Sequence, residues 1–224
     1  MTEKFEPKLL ILDCDGVLYH PSELDINAMV YAFNDVCEDL GLKEEKFNYI
    51  ENCTQDKPIK GIYDYIGYVA KKVGIKTDDF ILKMVNHVDY SHIKTDKCEI
   101  LQKCIALNNK YKICICTNNH TEHTNQVLKA KFNIMPSQLP FEIFDTRFAE
   151  LEGKFYPKES PLFVSKLEEH FKIKSCNFLW IDDNPKVIEK VKSFGSQAIL
   201  VTEQNPLSDI LKKLDNDMEK EIVK

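Results

Sequence analysis

Four short apolar runs punctuate the chain: Leu9–Leu12, Ile113–Cys116, Phe178–Ile181 and Ala198–Val201. Each is a few residues long and runs into a polar or turn-forming stretch, the pattern of a strand buried on both faces. Between them the apolar residues recur at helical spacing. The segment Pro185–Phe194 places Val187, Ile188, Val191 and Phe194 on one face. Asn184 is its expected cap, Pro185 suits its first turn, and Gly195 closes it. A second helix is predicted from Ser160-Pro161 onward, burying Phe163, Val164, Leu167 and Phe171. A third is predicted near Asp96–Leu107, with Asp96 and Glu99 at capping-box spacing. Strands alternating with helices imply an α/β fold, a parallel sheet with helices on both faces.

The first and second strands are far apart in sequence. The intervening stretch carries helical periodicity alone, in Asn27–Leu40, Ile59–Val73 and Asp78–Val88. An all-helical block inserted directly after the first strand predicts a second, smaller domain at 19–92, with the core formed by 1–18 and 93–224. A last amphipathic helix is expected at Leu207–Leu214, with a frayed polar end.

Composition narrows the function. The 224 residues are 43% hydrophobic and 29% charged, enough for a sizeable core. A net charge of -6 and the lack of a basic run argue against a nucleic-acid polymer as partner. No stretch is long and apolar enough to span a bilayer, and Met1–Lys8 lacks the form of a signal peptide. The eight cysteines are scattered, and Cys14, Cys114, Cys116 and Cys176 lie in or beside apolar runs. Reduced, buried thiols of a cytoplasmic protein are therefore expected, with no disulfide framework.

The candidate chemistry sits where three strands end. Leu9–Leu12 runs into Asp13-Cys14-Asp15-Gly16, Ile113–Cys116 into Thr117-Asn118-Asn119, and Phe178–Ile181 into Asp182-Asp183-Asn184. The carboxyl ends of parallel strands share one edge, where ligands bind. Several carboxylates gathered there must protonate or hold a cation. Oxygen ligands without an organised His or Cys set favour Mg²⁺. A phosphate monoester fits beside such an ion. One aspartate can attack phosphorus, and a second, two residues on, can protonate the leaving oxygen and later activate water.

These motifs resemble those of the haloacid dehalogenase-like hydrolase superfamily. Asp13-Cys14-Asp15-Gly16-Val17-Leu18 matches its first motif, Thr117-Asn118 its second, and Asp182-Asp183-Asn184 its acidic fourth. Lys158-Glu159-Ser160-Pro161 resembles its lysine motif. The order and spacing agree over nearly the whole chain. The resemblance implies a Rossmann-like core with a C1-type helical cap. It also implies roles. Asp13 is the nucleophile and a metal ligand. Asp15 is the general acid/base, its backbone carbonyl also on the metal. Thr117 and the Asn118 backbone bind the phosphoryl group, and Lys158 neutralises charge. Asp183 is the main acidic Mg²⁺ ligand, with Asp182 beside it. One departure stands out: the lysine motif usually reads Lys-Pro, whereas here Glu159 follows Lys158. Lys154 is the rival; the helix after Ser160-Pro161 favours Lys158.

The implied activity is Mg²⁺-dependent hydrolysis of a small phosphorylated metabolite. Asp-Gly-Val-Leu-Tyr in the first motif and the helical insertion also resemble the pyrimidine 5′-nucleotidase-like group. Sugar-phosphate and phosphoglycolate phosphatases fit the catalytic motifs equally well. Dehalogenases of this fold lack the second motif-one aspartate and use arginine, whereas Asp15 is present and Arg147 is the single arginine. A phosphoacceptor signalling module carries its acidic pair on the first strand and its acceptor later, the reverse of the order here. A non-catalytic phosphate-binding protein is the remaining alternative.

Overall fold

The computed structural model describes residues 7–24, 27–46, 62–95 and 99–222. The chain divides into two compact units, Met1–Pro21 with Lys94–Lys224, and Ser22–Ile93.

The first unit is built on a five-stranded, all-parallel sheet in the order β3-β2-β1-β6-β7. Its strands are β1 (Leu9–Leu12), β2 (Lys112–Cys116), β3 (Glu142–Phe144), β6 (Phe178–Asp182) and β7 (Gln197–Leu200). Four of them occupy the apolar runs expected from sequence. The fifth, β3, is three residues long at the sheet edge, too short to show a period. A small antiparallel pair, β4 (Glu150–Leu151) and β5 (Lys154–Phe155), was not legible either. Its residues are exposed, so burial imposed no hydrophobic alternation on them.

Parallel strands with helices on both sides read as continuous apolar runs. Leu9 and Ile11 of β1, with Cys114 and Cys116 of β2, pack on one face against helices α6 (Pro161–Phe171) and α7 (Pro185–Ser193). Leu10 and Leu12 point to the other face and are equally buried. Helices α4 (Glu99–Leu107), α5 (Thr121–Phe132) and α8 (Leu207–Ile222) supply further buried residues of the unit, among them Leu101, Val127 and Leu211. Helix α8 is longer than its apolar stripe predicts. The expected caps form: the Ser160 hydroxyl accepts from Phe163 N–H, and Asn184 Oδ1 accepts from Lys186 N–H. The expected Asp96 cap lies outside the described residues.

The second unit packs helices α1 (Ala28–Asp39), α2 (Ile62–Val73) and α3 (Thr77–His87) around Phe33, Ile66, Val69, Phe80 and Met84, all fully buried. The Phe33 ring lies 5.4 Å from Phe80 and 5.6 Å from Tyr65, so aromatic contact closes this small core. The expected start of α2, at Ile59–Gly61, lies outside the described residues.

One polar tie matters for the site. Buried Asp145, just after β3, accepts hydrogen bonds from the Thr121 N–H at 2.7 Å and its hydroxyl at 2.5 Å, anchoring the first turn of α5. Arg147 pairs with the same carboxylate at 2.5 Å. Burial works to raise the Asp145 carboxyl, but Arg147 and Thr121 outweigh it and hold it below its ordinary 3.8. A depressed folded-state value stabilises the protein above the unfolded value, and that contribution fades as pH falls through the folded one. Asp145→Asn is therefore expected to cost about 1.5–3 kcal/mol at neutral pH. The difference from wild type should shrink below pH 3.8 in urea titrations; a pH-independent difference would contradict the ionised tie.

Candidate active site

Strands β1 and β6 are parallel neighbours, with Leu12 beside Ile181. Their carboxyl ends therefore deliver Asp13 and Asp182 to adjacent positions on one edge. The Asp13 N–H still donates to Ile181 O, at 3.0 Å, so the sheet ladder itself fixes the backbone of Asp13. Both aspartates are buried, Asp13 at 8% and Asp182 at 1% exposure.

Lys158 stands between them. Its Nζ lies 2.6 Å from Asp13 Oδ1 and 2.8 Å from Asp182 Oδ2, and the side chain is only 3% exposed. Burial opposes the Lys158 charge, but the two carboxylates outweigh it and raise the ammonium above its ordinary value. Burial also pushes the Asp13 carboxyl up, to about 7, against the pull of Lys158 and with the repulsion of Asp182. Lys154 lies elsewhere, on the exposed β5 strand with its Nζ over the Tyr156 ring.

Asp183 completes an acidic cluster. Ligand atoms of Asp13, Asp182 and Asp183 all lie within 4.8 Å of one another. Asp182 is engaged on both oxygens, with Lys158 and with the Asn184 N–H at 2.9 Å. Asp183 is exposed and so is the accessible member. Burial and the nearby Asp182 raise its carboxyl. Three oxygen-donor carboxylates converging in this way fit a hard divalent cation such as Mg²⁺. Gly16 makes the cluster sterically possible. Its φ is +76°, and a Cβ there would fall 2.0 Å from Asp183 Oδ2.

The strand-two motif is adjacent in the sheet. Thr117 is 1% exposed, and its hydroxyl accepts from Asn119 N–H at 3.0 Å, leaving its own proton to donate. The Asn118 side chain turns to the lysine loop instead. Its Oδ1 accepts from Lys158 N–H at 2.8 Å and its Nδ2 donates to Glu159 Oε2 at 3.1 Å. The unusual Glu159 is thus part of the clamp that holds Lys158 in place. His123, buried on α5, also enters the site and reaches Asp15.

The Asp15 carboxylate is not in the acidic cluster. Its Oδ1 meets the Tyr19 hydroxyl at 2.5 Å and His123 Nε2 at 3.0 Å, and its Oδ2 accepts from Asn119 Nδ2 at 2.7 Å. Burial works to raise Asp15, but these donors overcome it and hold the carboxyl at about 2. Two carboxyls two residues apart are thus driven in opposite directions. Sequence reading assigns no role to His123, Tyr19 or the Asn119 side chain. The available signal was their placement: four residues after Asp15, and within the loop and first helical turn after β2.

A model of the haloacid dehalogenase-like hydrolases matches residues 7–195. No match was found among curated protein sequences. Among solved structures, a haloacid dehalogenase family enzyme from Bacteroides thetaiotaomicron, complexed with magnesium and inorganic phosphate, superposes with a TM-score of 0.51 at 16% identity, covering 88% of this chain and 94% of that one. CbbY from Rhodobacter sphaeroides, complexed with phosphate, gives 0.52 at 12% identity over 87% and 86% of the two chains. A CbbY mutant complexed with xylulose-(1,5)bisphosphate gives 0.51 at 11% identity over the same shares. These are likenesses of fold. With the family model spanning most of the sequence, the chain belongs to the haloacid dehalogenase-like hydrolases.

Proposed function

We propose that this hydrolase cleaves a small phosphate monoester, with Asp13 as nucleophile and Mg²⁺ as cofactor. The observation that carries the reading is the buried Lys158 ammonium bridging Asp13 and Asp182, beside the accessible Asp183. Such a cluster prepares one carboxylate to meet a phosphoryl dianion.

The residues divide the work. A buried Lys158 offsets charge on Asp13 and on the entering phosphoryl group. Thr117, through its hydroxyl, and the Asn118 backbone donate to phosphoryl oxygens. Asp13 would attack phosphorus, breaking the ester P–O bond and forming an aspartyl-phosphate. The leaving oxygen takes a proton from Asp15. Water, losing a proton to Asp15, then cleaves the aspartyl-phosphate and returns Asp13 with inorganic phosphate. Asp15 is held ionised beforehand, and the charge of a phosphate monoester placed beside it favours its protonation. Mg²⁺, held by Asp13, Asp183 and the Asp15 backbone carbonyl with Asp182 beside them, would orient the phosphoryl group and offset its charge.

We read the helical unit as a C1-type cap that selects the substrate, taken to be a nucleoside 5′-monophosphate; the resemblance of motif one and the helical insertion to nucleotidases supports this. The structures complexed with phosphate and xylulose-(1,5)bisphosphate keep a sugar phosphate as the second reading. A cytoplasmic setting is supported by the free, buried Cys14, Cys37, Cys104, Cys114 and Cys116. Among the described residues, no helix is long and apolar enough to cross a membrane.

Phosphate release from UMP, CMP, AMP, phosphoglycolate and glucose 6-phosphate tests the activity and its substrate. Asp13→Asn should lower turnover at least about 1,000-fold, and a chelator should abolish it; an active Asp13→Asn protein removes the nucleophile. Exclusive turnover of a non-nucleotide defeats the nucleotidase assignment. Lys158→Ala is expected to cost about 100-fold or more in kcat/KM. Lys154→Ala should stay within about threefold, as a surface change; the opposite ranking would move the lysine motif. Gly16→Ala should push the Asp183 carboxylate aside and weaken Mg²⁺ binding by about tenfold or more, read by calorimetry. Wild-type affinity in that variant contradicts the packing of Asp183 on Gly16.

A further inference from the structure

Asp15 is gripped more completely than a side chain on a turn requires. Three elements contribute one donor each: Tyr19 from the turn after β1, Asn119 from the loop after β2, and His123 from α5. Tyr19 and His123 are 5% and 3% exposed, and the tyrosine oxygen lies 3.3 Å from His123 Nε2, so the two donors stand side by side on Oδ1. His123 Nε2 is assigned as a donor because an ionised carboxylate can only accept.

A carboxylate offers about four lone-pair positions. Among the described residues, Oδ1 receives two donors and Oδ2 receives one. One position, on Oδ2, remains open. We propose that Tyr19, His123 and Asn119 are positioning residues that orient Asp15 so that Oδ2 carries the transferred proton. Resting on the acid/base role given to Asp15 above, the step balances simply. The Oδ2–H bond breaks, the proton joins the leaving oxygen as its bond to phosphorus breaks, and Asp15 is left as a carboxylate held by the same three donors. Proton transfer demands donor and acceptor within about 2.6–3.2 Å. A displacement of about 1 Å costs on the order of 100-fold. A freely rotating Asp15 would lose that geometry.

The test exploits leaving-group chemistry. An alkoxide needs the proton, whereas p-nitrophenolate departs without it. kcat/KM reports the first phosphoryl transfer alone and is insensitive to the later attack by water. It is measured on the best alkyl substrate of the panel above and on p-nitrophenyl phosphate, for wild type, Asp15→Asn, Tyr19→Phe, His123→Ala and His123→Gln. Melting curves confirm that each variant is folded. Asp15→Asn should lose far more on the alkyl substrate than on the aryl one. Tyr19→Phe and His123→Ala should repeat that selectivity, losing about tenfold or more extra on the alkyl phosphate. His123→Gln, which keeps a donor near the Nε2 position, should recover most of it. Should His123→Ala fail to fold, Tyr19→Phe, which removes one oxygen, decides the matter. If Asp15→Asn is selective but the Tyr19 and His123 variants lose equally on both substrates, the positioning role is overturned and the acid/base role stands. If Asp15→Asn is itself unselective, the acid/base role falls and the positioning role with it.

Discussion

The ion pairs of Lys158 are the interaction on which the site depends. Burying an ammonium or a carboxylate alone is prohibitive, and burying two carboxylates side by side adds repulsion. Lys158 resolves both by contacting Asp13 and Asp182 together. The compensation is incomplete. Three carboxylates against one ammonium leave two negative charges when all are ionised, the charge that one divalent cation neutralises. The elevated Asp13 carboxyl is the same imbalance seen from the proton's side. A protein that merely wanted a stable core would place apolar residues here; retaining the cluster makes sense as chemistry.

Around this centre the sheet does the positioning. Parallel register sets Asp13 next to Asp182 without any loop having to find its partner. The lysine comes from outside the sheet and needs a clamp, which Asn118 supplies by bonding the Lys158 backbone and Glu159 together. The Asn118 side chain therefore serves the lysine loop. Glu159, a departure from the family's Lys-Pro pattern, is accommodated because its side chain completes that clamp.

Asp13 and Asp15 illustrate how environment separates two like groups. Asp13 is buried beside Asp182 and is driven up. Asp15 faces three donors and is driven down. Two carboxyls pushed apart in this way are suited to different roles. The difference lies in what converges on each: strand ends and a lysine for one, a helix and two loops for the other. The Asp145 tie that starts α5 at Thr121 also sets where His123 stands, two residues further on.

The sequence alone determined a great deal. Apolar runs located four of the five sheet strands; β1, β2 and β6 are buried on both faces and so must be apolar, while β7 at the sheet edge is only partly buried. Punctuation by Ser160-Pro161 and Asn184-Pro185 located two helices, because caps are local chemistry. The family motifs named Asp13, Thr117, Lys158, Asp182 and Asp183, which the structure brings to one sheet edge. Tertiary structure alone decided the rest. The edge strand β3 and the hairpin β4–β5 are too short and too exposed to leave a period. The motif favoured Lys158 over Lys154, but only the folded chain shows Lys158 buried between two carboxylates and Lys154 on an exposed strand. The grip of Asn119 and His123 on Asp15 joins residues 104 and 108 positions apart. Such long-range convergence has no local signature, because the force that selects it, satisfaction of a buried charge by hydrogen bonds, acts only after the chain has folded.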